Sequence, residues 1–478
     1  MAESYVSFKD TNGNSPSSIP EDLLHFIRRD TYSLLVKGFA GTGKTTLALT
    51  ILNVLGIKNN FFYISTRISP KQLLQYYPWL KDLLGQSKQR GANLTRDHEV
   101  ISSFEDARLD EPESLFERIT NQLMDIKSPI IIIDSWDAIA SFMDREARLN
   151  NERVLQTWRE RAGAKLIFIS EQPSDTTLDF LVDGIVELKQ SYYNNVKMRE
   201  IILQKLRGTR IKRPSYVYTL ENSIFHSFAP YQPIKFEQRI KGIAEIPRLL
   251  QGGNIESGYP ALDATLDCGI PRKGLVLLEL GSHVSMTIAM IFLQRIVSNF
   301  VWSGNPVLLQ PVSWMEPSSI LHFFETFLPA DKKSLFKILW TGKPRKISNI
   351  SNNIISPSKN ENTDQLLPAL VKMKRRHRDK LLLNIMWTEA IQSLQRARKL
   401  RNGMKNILSS IIAHADLSIA VVTRSQEDIL EVVSELSNMH LRFVIINDTL
   451  FLQSLVPSTN LYSIMLDRQS RMSLKPVV

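Results

Sequence analysis

Leu34-Leu35-Val36-Lys37-Gly38-Phe39-Ala40-Gly41-Thr42-Gly43-Lys44-Thr45-Thr46 is the stretch on which the fold turns. It fits G-x-x-x-x-G-K-[ST], the spacing of a phosphate-binding loop. The apolar run Leu34 to Val36 predicts a buried strand, and Leu47-Ala48-Leu49-Thr50-Ile51-Leu52 the opening of a helix. Gly38, Gly41 and Gly43 allow successive backbone N–H groups to point into one concavity, and the helix N-terminus behind them adds partial positive charge. Lys44 is placed to reach outer phosphates and the Thr45 hydroxyl to ligate Mg²⁺. The candidate nucleotide contacts are therefore Gly38, Phe39, Ala40, Gly41, Thr42, Gly43, Lys44, Thr45 and Thr46.

A second run supports the first. Ile130-Ile131-Ile132-Ile133-Asp134-Ser135 is a near-continuous apolar stretch ending in a carboxylate. Such runs form central strands of parallel sheets, and an acid at that strand end holds Mg²⁺ through water in phosphate-loop proteins. Asp134 joins Thr45 as a candidate metal residue.

Around these two runs, strands and helices alternate. Asn60 to Thr66 and Lys165 to Glu171 are further predicted strands, Pro112 to Ile126 and Asn151 to Arg161 helices. Alternation of this kind predicts a parallel sheet with right-handed crossovers, ending in hairpin-like strands from Gly184 to Phe225. The second half repeats the order weakly, which predicts an internal duplication: Gly274 to Gly281, Thr287 to Val297, Pro306 to Gln310, Lys380 to Ile385, Leu417 to Thr423 and a terminal hairpin within 441–466. The expected organisation is a flexible arm at 1–19, a phosphate-loop domain at 20–228, a linker at 229–256 and a second domain that repeats it at 257–478. An Asn- and Ser-rich insertion near 345–365 lacks the apolar content to order itself.

Composition narrows the class. The chain has 478 residues, 43% hydrophobic and 22% charged, with formal net charge +11 and pI about 9.5. That balance suits an acidic partner, whether nucleic acid, an anionic membrane or an acidic protein, and charge alone does not choose among them. The single cysteine, Cys268, excludes an intrachain disulfide and a Cys-rich metal site. With no apolar signal core near Met1 and no long apolar run, the expectation is a soluble cytoplasmic protein.

Several stretches resemble RecA-type ATPases of the KaiC group, and within it the archaeal GvpD family of gas-vesicle regulators. They are the phosphate loop, Tyr63-Ile64-Ser65-Thr66-Arg67, Ile133-Asp134-Ser135, Ile169-Ser170-Glu171, Lys205-Leu206-Arg207-Gly208-Thr209, and the entry Ser257-Gly258-Tyr259-Pro260-Ala261-Leu262-Asp263 with Gly269-Ile270-Pro271. The resemblance implies an α/β protein of two tandem RecA/KaiC-like P-loop domains, mainly parallel in their sheets. It implies ATP and Mg²⁺ as ligands, and a homo-oligomer. By themselves Lys205 and Arg207 read as a basic strand end facing solvent. The resemblance implies that they reach phosphates bound by a neighbouring subunit, where such cations stabilise charge on a transferring phosphoryl group.

Two departures bear on activity. KaiC-like ATPases place one or two glutamates after the second strand, where this chain has Thr66-Arg67, and an arginine is always protonated. Glu171 is the nearest substitute base and Gln172 a candidate to orient a water, so slow hydrolysis suited to a switch is expected. In the repeat, Leu280-Gly281-Ser282-His283-Val284-Ser285-Met286-Thr287 has Met286 at the lysine place, and the corresponding strand ends Asn384-Ile385-Met386-Trp387 without an acid. The second domain is expected to have lost its nucleotide.

Two basic runs, Lys372-Met373-Lys374-Arg375-Arg376-His377-Arg378 and Arg396-Ala397-Arg398-Lys399-Leu400-Arg401, suit phosphate backbones or an acidic protein surface. The resemblance implies the latter, a transcription activator. Three readings follow: an ATP-dependent regulatory switch acting on a protein partner, a RadA-like DNA-dependent ATPase, and a nucleotide-stabilised adaptor without turnover.

Overall fold

The computed structural model describes residues 18–57, 60–81, 102–107, 112–123, 126–174, 176–232, 254–266, 269–340, 351–355, 366–387, 401–424, 426–466 and 472–478. The chain divides into two compact units between Pro230 and Tyr231. Most of the arm expected at 1–19 and of the linker expected at 229–256 lies outside the described residues. The described residues of that stretch from Tyr231 on fall in the second unit. Ile255 bridges Ile270 and is 2% exposed, while Tyr231 N–H donates to Asp448 O at 2.6 Å.

The first unit holds a nine-stranded sheet in the order β3-β2-β4-β5-β1-β6-β7-β8-β9. Its strands are β1 (Tyr32–Gly38), β2 (Phe61–Ser65), β3 (Ser102–Asp106), β4 (Ile130–Asp134), β5 (Lys165–Ser170), β6 (Gly184–Tyr193), β7 (Val196–Leu206), β8 (Ser215–Thr219) and β9 (His226–Ser227). Strands β1 to β5 and the start of β6 pair in parallel, whereas β6 to β9 are antiparallel neighbours. β1 is buried along its whole length because helices cover both faces. Leu34 and Val36 face the helix Lys44–Val54, and Leu35 the opposite layer with Trp136, Trp158 and Phe168.

The second unit repeats this plan. Its ten strands run β13-β12-β11-β14-β15-β10-β16-β17-β18-β19. They are β10 (Gly274–Leu280), β11 (Val307–Gln310), β12 (Phe336–Leu339), β13 (Ile354–Ile355), β14 (Leu383–Trp387), β15 (Leu417–Thr423), β16 (Met439–Ile446), β17 (Thr449–Val456), β18 (Ser458–Leu466) and β19 (Met472–Pro476). Strand for strand the order matches the first sheet, with β13 added at one edge. The fold is thus α/β with two tandem, mainly parallel sheets of one strand order.

One expectation needs correction. Ile354 and Ile355, inside the insertion expected to be disordered, form an edge strand on β12. Ile338 N–H donates to Asn353 O at 2.8 Å, and Ile354 is 8% exposed. Two adjacent isoleucines supply the apolar contact that the surrounding Asn and Ser cannot. Residues 341–350 and 356–365 lie outside the described set.

Candidate functional site

β1 ends at Gly38, and the helix Lys44–Val54 begins six residues later. The loop between them is built around backbone that side chains would obstruct. Gly38, Gly41 and Gly43 take φ of 152°, 77° and 92°. A Cβ on Gly38 would lie 2.4 Å from Leu188 O, and one on Gly43 2.7 Å from the Leu220 side chain. The loop is also held from outside, since the Tyr218 hydroxyl donates to Thr42 O at 2.5 Å and the Thr42 hydroxyl to Phe39 O at 2.8 Å. Phe39 is 67% exposed. This cradle fits a phosphate chain, because its amide-rich concavity survives only where glycines stand.

The Lys44 ammonium lies inside the loop, donating to Gly38 O at 2.8 Å and Phe39 O at 2.9 Å. Burial pulls its pKa down, while Glu171 and Asp134 oppose that shift. Desolvation makes this cation a strong ligand for an anion.

Beside it, the Thr45 hydroxyl donates to Asp134 Oδ2 at 2.6 Å, and the Tyr63 hydroxyl to the same oxygen at 2.5 Å. Burial raises the Asp134 pKa, and the bonds from Thr45 and Tyr63 and the Lys44 charge counter it. A hydroxyl and a carboxylate converging beside such a loop are a hard-oxygen donor set, the chemistry Mg²⁺ takes with phosphate oxygens. Thr46 and Tyr77 hydroxyls, 3.1 Å apart, extend the polar rim.

The remaining candidates fall in two places. Glu171 follows β5, with its amide donating to Asp137 Oδ2 at 2.6 Å and its carboxylate 2.5 Å from Arg67 Nη2. Gln172 is next to it, its amide donating to Ser170 Oγ at 3.1 Å. Lys205 and Arg207 are elsewhere. Gly38 registers with Leu188 and Leu188 with Ile201, whereas Lys205 is level with Ile185 and Leu35. Arg207 lies 3.3 Å from Asp183, which binds Ser33 at the start of β1. Lys205 is thus level with the middle of β1, its ammonium donating to Asp179 O at 3.1 Å, and Arg207 lies beside the start of that strand, both away from the loop at its end.

Tyr63, Tyr77, Tyr218 and Asp137 escape the sequence reading. Tyr63 is hidden in an aromatic strand that reads as core. Asp137 did leave a signal, an acid three residues after Asp134.

Among the described residues, the second unit shows no counterpart of this constellation. Ser285, at the place of Gly43, takes φ of −70°, and its hydroxyl accepts from Thr287 N–H at 3.2 Å, occupying a helix-start donor. Met286 packs against the core where Lys44 would be. Trp387 and Leu309 take the register positions of Asp134 and Tyr63, at 1% and 0% exposure.

Residues 24–204 match the family model described as GvpD gas vesicle protein, P-loop domain. Among curated relatives, Protein GvpD2 of Halobacterium salinarum is 24% identical over 303 residues, 61% of this chain and 60% of its own length. Protein GvpD1 of the same organism is 25% identical over 324 residues, 65% of this chain and 59% of its own. The circadian clock oscillator protein KaiC of Thermostichus vulcanus is 23% identical over 306 residues, 59% and 53%. The chain thus spans 60% or less of the length of these relatives.

Proposed function

We propose, for a chain whose first unit is a KaiC-like P-loop domain of the GvpD kind, that this unit binds ATP with Mg²⁺ and that its nucleotide state switches the engagement of a protein partner. The observation that carries the reading is the convergence of Lys44, Thr45 and Asp134 on a glycine cradle. Gly38 to Thr46 would hold the phosphates, and Thr45 with Asp134 the metal, which when bound neutralises phosphate charge. Lys44 would leave its two carbonyl partners for the outer phosphates.

Hydrolysis is proposed to be slow. No carboxylate follows β2, and Glu171, the candidate base, is engaged by Arg67. Gln172 beside it would orient a water. Lys205 and Arg207 would act only across a subunit boundary, which makes turnover dependent on assembly.

The partner surface is proposed on the second unit. Lys372, Arg375, Arg376 and Arg378 are exposed on and just after the helix Leu366–Arg376, while Lys374 pairs with Asp416 at 2.5 Å. Arg376 also depresses the pKa of His377 and of Lys337, in both cases after burial. An acidic protein, a transcription activator among the choices, would relieve this crowding. In the second run, Arg396 and Arg398 lie outside the described residues. Among the described residues no helix is long and apolar enough to cross a membrane.

The test is a fluorescent-ATP titration of the intact chain and of Lys44→Ala, followed by partner capture with and without ATP. Loss of binding in the variant and nucleotide-dependent capture are expected. Unchanged affinity would overturn the site. DNA-stimulated hydrolysis would favour a DNA-dependent ATPase, and absence of turnover over hours an adaptor.

A further inference from the structure

At the loop, the ends of β2, β4, β5 and β1 lie side by side in that order. Two of them carry charges that meet over the one between. Arg67 follows β2, Glu171 follows β5, and Arg67 Nη2 is 2.5 Å from Glu171 Oε2. Because β4 separates these strands, the pair spans a gap of about 10 Å and arches across the end that bears Asp134. Both feet of the arch are fixed. Thr66 N–H donates to Asp134 O at 2.8 Å, and Glu171 N–H to Asp137 Oδ2 at 2.6 Å. Only the two side chains remain free, at 55% and 29% exposure. Lys44 feels both charges, so the arch shares the electrostatic space of the loop.

An ion pair as exposed as this contributes little to stability. A terminal phosphate is a better partner for a guanidinium, since it carries more charge and accepts two parallel hydrogen bonds. A diphosphate ends one phosphoryl group short and offers no such exchange. We propose that Arg67 is a terminal-phosphate sensor, paired with Glu171 when the loop holds no nucleotide or a diphosphate, and transferred to the third phosphate of a triphosphate. The transfer releases Glu171. An arginine at the strand end thereby converts triphosphate binding into a change of ion-pair partner. This inference rests on the nucleotide reading of the loop.

The experiment titrates the intact chain, Arg67→Ala and Glu171→Ala with fluorescent ADP and a fluorescent, non-hydrolysable ATP analogue, both with Mg²⁺. Arg67→Ala is expected to lose about ten- to hundredfold in affinity for the triphosphate and to stay within about threefold for the diphosphate. Glu171→Ala, which frees Arg67, is expected to hold or raise the preference for the triphosphate. Unfolding midpoints equal to the parent's would accompany these outcomes, both side chains being largely outside the core. Equal losses for the two nucleotides, or no change for either, would overturn the sensor while leaving the loop reading intact. A parent chain that binds neither nucleotide would overturn both.

Discussion

Trp387 stands in the second sheet where Asp134 stands in the first. Asp134 is the last residue of β4 and registers with Ile169 on β5, and Trp387 is the last residue of β14 and registers with Val421 on β15. One position thus carries an acceptor for Thr45 and Tyr63 in one unit and a buried indole in the other, whose Nε1 has no hydrogen-bond partner. The two units share a strand order and differ in the chemistry at this position.

If that exchange abolished the second site, the intact chain binds one nucleotide. Trp387→Ala should destabilise the protein by about 3–5 kcal/mol, as removal of a large core aromatic does, without changing nucleotide stoichiometry. Denaturant unfolding and a stoichiometric titration check the two halves. Two nucleotides per chain in the parent would sink the idea.

The glycines of the loop should differ in tolerance. Gly43→Ala meets the flexible Leu220 side chain and a positive φ, costing about 1–3 kcal/mol. Gly38→Ala meets the backbone oxygen of Leu188, which cannot swing aside, and should cost more. A shortened Leu220 should partly rescue the first substitution and not the second, as read by thermal unfolding.

Asp134 is held with its pKa above the ordinary carboxylate value, chiefly by burial. Its charge is thus disfavoured in the folded state, a cost fully present above the raised pKa and fading as pH falls through it toward the unfolded value. Asp134→Asn keeps an oxygen for Thr45 and Tyr63 and removes the charge. The nucleotide-free variant should melt higher than the parent near pH 7, the gain shrinking under acid, while Mg²⁺-dependent nucleotide affinity falls. A lower melting point at neutral pH would contradict this account.

Arg207 lies away from its own loop, so any role in hydrolysis must be exerted on another subunit. Specific activity should then rise with protein concentration, and Arg207→Ala should lower turnover more than ATP affinity. Activity flat across concentration, in a species that light scattering finds monomeric with ATP, would remove Arg207 and Lys205 from the mechanism.

Replacement of Arg375, Arg376 and Arg378 by Ala should weaken partner capture and leave ATP affinity at Lys44 unchanged. Relieved of Arg376, His377 and Lys337 should both titrate higher, measurable by NMR. A steep loss of affinity with salt, the same for any DNA sequence, would instead identify nucleic acid as the ligand.

Long buried strands were legible in the sequence because they sit between two helical layers and must be apolar throughout. β3 was not. Ser102-Ser103-Phe104-Glu105-Asp106 pairs with β2 on one side only, and an edge strand needs no continuous apolar run. β13 and β19 went unread in the same way, as edge strands of the second sheet, and β12 because it is only four residues long.

The sequence by itself determined the loop, its helix and the acid at the end of β4, because each depends on local chemistry. Glycines must stand where the backbone turns and amides face inward, and a lysine and a threonine must follow them. Only the tertiary structure decided which partners those residues keep. Tyr63 on Asp134, Tyr218 on Thr42 and Arg67 on Glu171 join strands far apart in the chain, and no local periodicity encodes such meetings. The same holds for Lys205 and Arg207. Their charge is plain in sequence, but strand direction and register set Lys205 level with the middle of β1 and Arg207 beside its start, away from its end.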